Sequence, residues 1–183
     1  MKHLKHLSPE QNLLRVIYGR TLAMGKSMGE FATWLLTGEA AILGAVIVNV
    51  EAISKVLSAP CLRWGTALLV ISLLAGVIAR QLGLAICAGL ALTEEMYDEL
   101  ESPEGVAALQ GMIASPEEFK NQLSSAFLPP LRGMMKRSFE RGLKDPLSGE
   151  KRLTMLFSIQ LYSLWAQGAI GAAGLLVLGF GIQ

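Results

Sequence analysis

The chain is poor in the residues that build catalytic and metal centres. Its 183 residues include only two histidines and two cysteines. His3 and His6 stand three apart in a polar N-terminus, which offers at most two metal ligands and closes no site. Cys61 and Cys87 lack partners at metal-ligand spacing. On one helix they would lie about 39 Å apart, too far for a disulfide. There is no HExxH, glycine-rich phosphate loop or dinucleotide fingerprint. Ser148 precedes Lys151 by three residues without any supporting catalytic motif. The reading is of a protein that is not an enzyme and has no catalytic residues, metal or cofactor.

Charge is also scarce. Only 17% of residues are charged, against about 25% in soluble domains. Sixteen Lys and Arg face fifteen Asp and Glu, for a net charge of +1. That balance excludes a generally basic nucleic-acid binder and an acidic tail protein, so no nucleic-acid partner is expected.

Apolar residues are abundant, at 52%, and the mean hydropathy is +0.45. They concentrate in three stretches. Residues 31–50 carry one charge, Glu39; residues 64–92 are interrupted only by Arg80 and Gln81; residues 153–183 carry none. About 20 helical residues cross the hydrocarbon core of a bilayer, and each stretch is long enough. The first starts too late and lacks the cleavage pattern of a removable signal. The expected fold is all-α: an integral membrane protein with an antiparallel transmembrane hairpin, a cytoplasmic helical segment and a third transmembrane helix. Its parts are a cytoplasmic amphipathic helix at 1–30, the hairpin at 31–92, the cytoplasmic segment at 93–152 and the third span at 153–183.

Lys and Arg near the span ends set the orientation. The first 30 residues hold five of them, and the segment 93–152 holds eight, six between Lys136 and Arg152. Both regions are therefore expected in the cytoplasm of a plasma (inner) membrane protein, with the Pro60 turn and the C-terminus outside.

Outside the spans, helix starts are legible. Ser8-Pro9-Glu10-Gln11 reads as a capping box with proline at the first helical position, opening a helix to about Met28. Glu51 and Lys55 form an i,i+4 pair that carries the first span to Leu57. Ser102-Pro103-Glu104 and Ser115-Pro116-Glu117-Glu118 open two further helices. Another follows Pro129-Pro130, and Asp145 to Gly149 is a turn. Residues 93–118 contain eight acidic residues and no basic one, whereas 119–152 contain eight basic and three acidic. In the helix after Pro130, Arg132, Lys136, Arg137, Arg141 and Lys144 form a basic flank suited to anionic lipid or a protein partner. The same charge serves as a positive-inside determinant, or pairs with the acidic residues at 94–104.

Ionisable groups inside a membrane are costly and face a partner, a cavity or a pathway. With antiparallel spans, Glu39 lies about 12 Å and Arg80 about 10 Å from the same side. These two, with Gln81 and Gln160, form an expected intramembrane polar layer. An internal Glu39–Arg80 pair would fix the register of the hairpin; a lining of an oligomeric pore is the sharper alternative. Small residues at Ala40 and Gly44, Ala75 and Ala79, and Gly168 and Gly171 mark faces where helices approach closely.

The main functional reading is a non-enzymatic structural or assembly subunit of a membrane protein complex. Its partners are lipid, other subunits or further copies of itself. The alternative is a homo-oligomeric channel or membrane-permeabilising effector with a polar layer of Glu39, Arg80 and Gln160.

Overall fold

The computed structural model describes residues 8–105, 107, 116–125, 128–145 and 147–182. The described chain is all-helical apart from one isolated β-bridge. Its helices are α1 (Pro9–Val48), α2 (Val50–Ile53), α3 (Ala59–Glu101), α4 (Pro116–Ser125), α5 (Leu131–Lys144) and α6 (Ser148–Phe180). Three of them, α1, α3 and α6, are long and apolar enough to cross a membrane. The protein is a multi-span helical membrane protein. At 40, 43 and 33 residues, these helices are about 60, 65 and 50 Å long, so each outruns a hydrocarbon core of about 30 Å.

The helix starts follow local chemistry. At the head of α1 the Gln11 amide donates to Ser8 Oγ at 3.2 Å, and the Ser8 amide donates to Gln11 Oε1 at 2.9 Å. This is a reciprocal capping box. The helix does not stop at Met28 but runs unbroken to Val48. No proline or capping residue interrupts it, and a change from polar to apolar composition is not a helix break. Its end comes earlier than Leu57. Asn49 leaves helical geometry (φ −106°, ψ 22°) while its side-chain amide donates to the Ala45 carbonyl at 2.9 Å. Lys55 then falls in a turn beyond α2, so the Glu51–Lys55 pair has no helix to support. Helix α3 likewise continues past Leu92 to Glu101, because its first breaker is Ser102-Pro103. There the Gly105 amide donates to Ser102 Oγ at 2.9 Å. Helix α4 opens at Pro116 and α5 after Pro130; Ser115, the expected cap of α4, lies outside the described residues.

Two compact units divide the chain. One comprises the described parts of Met1–Thr21 and Ala88–Thr154. Within it Lys120 of α4 reaches Glu140 of α5 at 3.3 Å, and Lys136 Nζ donates to Asn121 Oδ1 at 3.1 Å. Arg15 stands 3.9 Å from Glu150. The basic flank of α5 therefore meets polar partners on α4 at Lys136, while Arg132, Arg137 and Arg141 are exposed. The Lys144 side chain lies outside the described residues.

The other unit comprises Leu22–Cys87 and Met155–Gln183. Its buried positions on α3 are Gly65, Leu69, Ser72, Gly76, Ala79, Gly83 and Ile86; those on α6 are Phe157, Gln160, Leu164, Gln167, Gly171 and Gly174. Steps of four and three alternate along both. That is a 3.5-residue repeat, the seam period of left-handed helical packing. On α1 the same seam passes through Leu22, Gly25, Ala32 and Glu39. Rising numbers on α1 meet falling numbers on α3: Gly25 lies at Ile86, Gly29 at Gly83 and Glu39 at Ser72. Lipid tails are as apolar as leucine, so close van der Waals contact drives this packing. Small seam residues are the means. Beyond α6, Ile182 bridges to Leu57, and the Ser58 amide donates to the Gly181 carbonyl at 3.0 Å.

Candidate functional site

Three polar side chains meet inside the seam. Glu39 of α1 is 8% exposed, and Ser72 of α3 and Gln167 of α6 are fully buried. Ser72 Oγ lies 2.7 Å from Glu39 Oε1 and 2.6 Å from the Gln167 backbone oxygen. Gln167 Nε2 donates to Glu39 Oε2 at 3.3 Å. Space for these groups comes from missing side chains. A Cβ at Gly171 would collide with Glu39 Oε1 and crowd Ser72 Oγ, and one at Gly76 would stand 2.6 Å from Gln167 Cδ.

Two helical turns along α6 sits a second polar group. Gln160 is fully buried, and its Nε2 donates to the Gly25 carbonyl at 3.0 Å. Gly25, Gly29 and Gly83 form its cradle; a Cβ on Gly83 would stand 2.7 Å from Gln160 Nε2. Seven residues separate Gln160 from Gln167, about 10 Å along the axis. Among the described residues, neither glutamine's buried Oε1 has a hydrogen-bond partner. Unpartnered buried acceptors are costly, and each calls for a donor.

Exposed aromatic residues indicate depth. Trp64 and Phe180 lie near one level, because Gly65 meets Leu178. Tyr162 and Trp165 are exposed elsewhere on α6, as is Trp34 on α1. Tyr162 and Phe180 are about 27 Å apart along the helix, near the thickness of the hydrocarbon between two interfacial aromatic belts. Gln167, and with it Glu39 and Ser72, lies about 8 Å inside the Tyr162 level. Gln160 sits at that boundary.

The expected polar layer is thus divided in space. Glu39 and Gln160 point into the seam, whereas Arg80 and Gln81 are exposed. The partners of Glu39 are Ser72 and Gln167 rather than Arg80. Arg80 falls between Gly76 and Gly83, near the Tyr162 level, where a long side chain can reach the interface. Among the small residues, Ala79 and Gly171 lie in the seam and Ala75 is half-buried. Ala40 is exposed, and Gly44 and Gly168 border open space. Gly171 is among the close-approach residues expected from the sequence, whereas Ser72, Gln167 and the glycines at 25, 29, 76 and 83 are not. Their signal was the repeat: Gln160, Leu164, Gln167 and Gly171 follow the same alternation of four and three.

One further motif belongs here. Gly25-Lys26-Ser27-Met28-Gly29 has the spacing of a hydrolase nucleophile elbow, which needs a sharp strand-to-helix turn. Here it lies within the continuous helix α1, with Ser27 exposed.

Outside the spans, the Lys151 ammonium, 2.6 Å away, holds the Asp145 carboxyl below its ordinary range, helped by the Leu147 amide. A hydrogen bond to Glu117 raises Lys120 above the usual lysine value, with Glu140 adding to it. These contacts organise the turns around α4, α5 and the start of α6. Against known proteins, the chain matches no family model, no curated protein and no solved structure.

Proposed function

We propose that this protein is a non-enzymatic, homo-oligomeric membrane protein of the channel or permeabilising class. In this reading α1 and α3 form an antiparallel transmembrane hairpin in the plasma (inner) membrane. The N-terminus and the α4–α5 segment face the cytoplasm, and the C-terminus faces outside. Lipid and further copies of the chain are its partners. The observation that carries the reading is the axis of Gln160, Glu39, Ser72 and Gln167. A carboxyl group and one amide lie buried inside the Tyr162 level and a second amide lies buried at its edge, and polar groups within a membrane mark ion and proton pathways. Free surface on α1 supports self-association: only 11% of its most apolar window is buried.

The test is reconstitution. Purified protein in liposomes is expected to pass ions and to run as a discrete homo-oligomer in mild detergent. A monomer without flux would sink the reading. One observation favours the assembly-subunit alternative: the cradle glycines fit the polar groups so closely that the axis is filled within one chain. Stoichiometric co-purification with a larger membrane partner, without flux, would select it.

A further inference from the structure

Helix α5 turns two different sides to its surroundings. At about 100° per residue, Lys136 and Glu140 share one side, where they meet Asn121 and Lys120 of α4. Met134 lies about 160° from Lys136. Arg141 is within about 20° of Met134, and Leu131 and Arg137 flank Met134 at about 60° on either side. All four are exposed, Leu131 by 54% and Met134 by 50%. Leu128, just before the helix, is 81% exposed. Ser138 and Gly142, which complete this face, are uncharged. Among the described residues no carboxylate pairs with Arg137 or Arg141, and Glu140, the one acid of α5, goes to Lys120.

Arginines interleaved with exposed apolar side chains make up the surface of a helix that lies in the headgroup region. The cations meet lipid phosphates and the apolar groups enter the acyl boundary. Only residues 145–147 separate α5 from α6, one of the three helices able to cross a membrane. That short tether keeps the local concentration of lipid high, so a contact with two cations suffices. The competing partner within the chain is the acidic stretch at 94–104. Glu94, Glu95, Asp98, Glu99 and Glu104 are exposed, and among the described residues none of them pairs with α5.

We propose that the face of α5 carrying Leu131, Met134, Arg137 and Arg141, with Leu128 ahead of it, docks on anionic phospholipid of the membrane that the spans cross. Arg137 and Arg141 bind headgroup phosphates, and Leu128, Leu131 and Met134 enter the acyl boundary. Arg132, about 160° from Met134, takes no part. This contact rests on the proposed membrane topology and lipid partnership, and not on permeation.

The experiment places a polarity-sensitive fluorophore on Met134→Cys in the full chain, with Cys61→Ala and Cys87→Ala to remove the other thiols. The protein is reconstituted in vesicles of phosphatidylcholine, alone or mixed with phosphatidylglycerol. Emission is expected to shift to the blue, and to be quenched by nitroxide-labelled lipid, only where phosphatidylglycerol is present. High salt should weaken the shift. Arg137→Gln combined with Arg141→Gln should abolish it, and Arg132→Gln should leave it intact. Equal emission in the two lipids, or a shift that survives the double substitution, would overturn the contact. Blue emission shielded from the lipid quencher in both lipids would put a protein surface there and overturn it too. If the labelled chain does not fold, hydrogen exchange of the wild type over residues 128–144 decides: protection should rise with phosphatidylglycerol, and unchanged protection sinks the contact. Ion flux from the same vesicles keeps the two readings apart. A lipid-dependent shift without flux supports the contact and sinks permeation; flux without the shift sinks the contact alone.

Discussion

Glu39 places its carboxyl group where Gly171 has no side chain. A Cβ on Gly171 would overlap Glu39 Oε1 and crowd Ser72 Oγ. Glycine at 171 thereby lets a polar group from α1 lie against the backbone of α6. Gly171→Ala must displace the carboxyl from its partners, and overpacking of this kind costs about 1–3 kcal/mol. Unfolding in mixed micelles, followed by helical circular dichroism, should show that loss. A variant as stable as the wild type would mean that the cluster tolerates displacement.

Glycines elsewhere in the chain should respond with opposite signs. At Gly83 a Cβ would stand 2.7 Å from Gln160 Nε2 and 3.2 Å from the Gly29 Cα. The amide can move, but the backbone of α1 cannot do so without widening the seam. Gly83→Ala should therefore destabilise by about 1–3 kcal/mol. Gly44 and Gly168 border open space, and alanine there should be neutral or stabilise by up to about 1 kcal/mol, because it restricts the unfolded backbone. Equal losses at all three positions would refute the distinction between seam and free surface.

Most of the fold can be read from the chain because length and apolarity are one-dimensional signals. The three stretches, the capping box at Ser8 and the helix starts at Pro116 and Leu131 all depend on neighbours in sequence. The site depends on register between distant segments. Depth alone brought Glu39 and Arg80 to nearby levels, but two residues at one level share a contact only if they face the same side. Arg80 lies one position after Ala79, a rotation of about 100°, and that turns it out of the seam. Hydrophobicity does not show the facing of a membrane helix, since lipid and seam are both apolar. The alternation of Gly, Ala, Ser and Gln does, once the 3.5-residue repeat is sought.

Acidification should loosen the turn before α6. Asp145 accepts from Lys151 at 2.6 Å and from the Leu147 amide at 3.0 Å, and its carboxyl lies below its ordinary value of 3.8. A group depressed on folding stabilises the fold above its unfolded value, and that contribution is lost as pH falls through the folded one. Hydrogen exchange at the Leu147 amide, corrected for its intrinsic pH dependence, should accelerate in the wild type below about pH 4. Asp145→Asn should lack this acid-induced change. Because the pair is solvent-exposed, added salt should weaken it. Equal acid responses in the two proteins would locate the sensitivity elsewhere.

Arg80 tests whether the seam is self-sufficient. Its side chain is exposed near the level of Tyr162, and the Glu39 carboxyl already has Ser72 and Gln167 as partners. Arg80→Gln removes the charge from a surface position and leaves every seam contact in place. Its effect on unfolding should stay within about 0.5 kcal/mol. Glu39→Ala, by contrast, strips Ser72 and Gln167 of a buried partner and should cost about 1–3 kcal/mol. In a double-mutant cycle the two losses should add, because residues without a shared contact do not couple. A coupling energy well above about 0.5 kcal/mol would put Arg80 back beside Glu39 and require a different packing of α3 against α1.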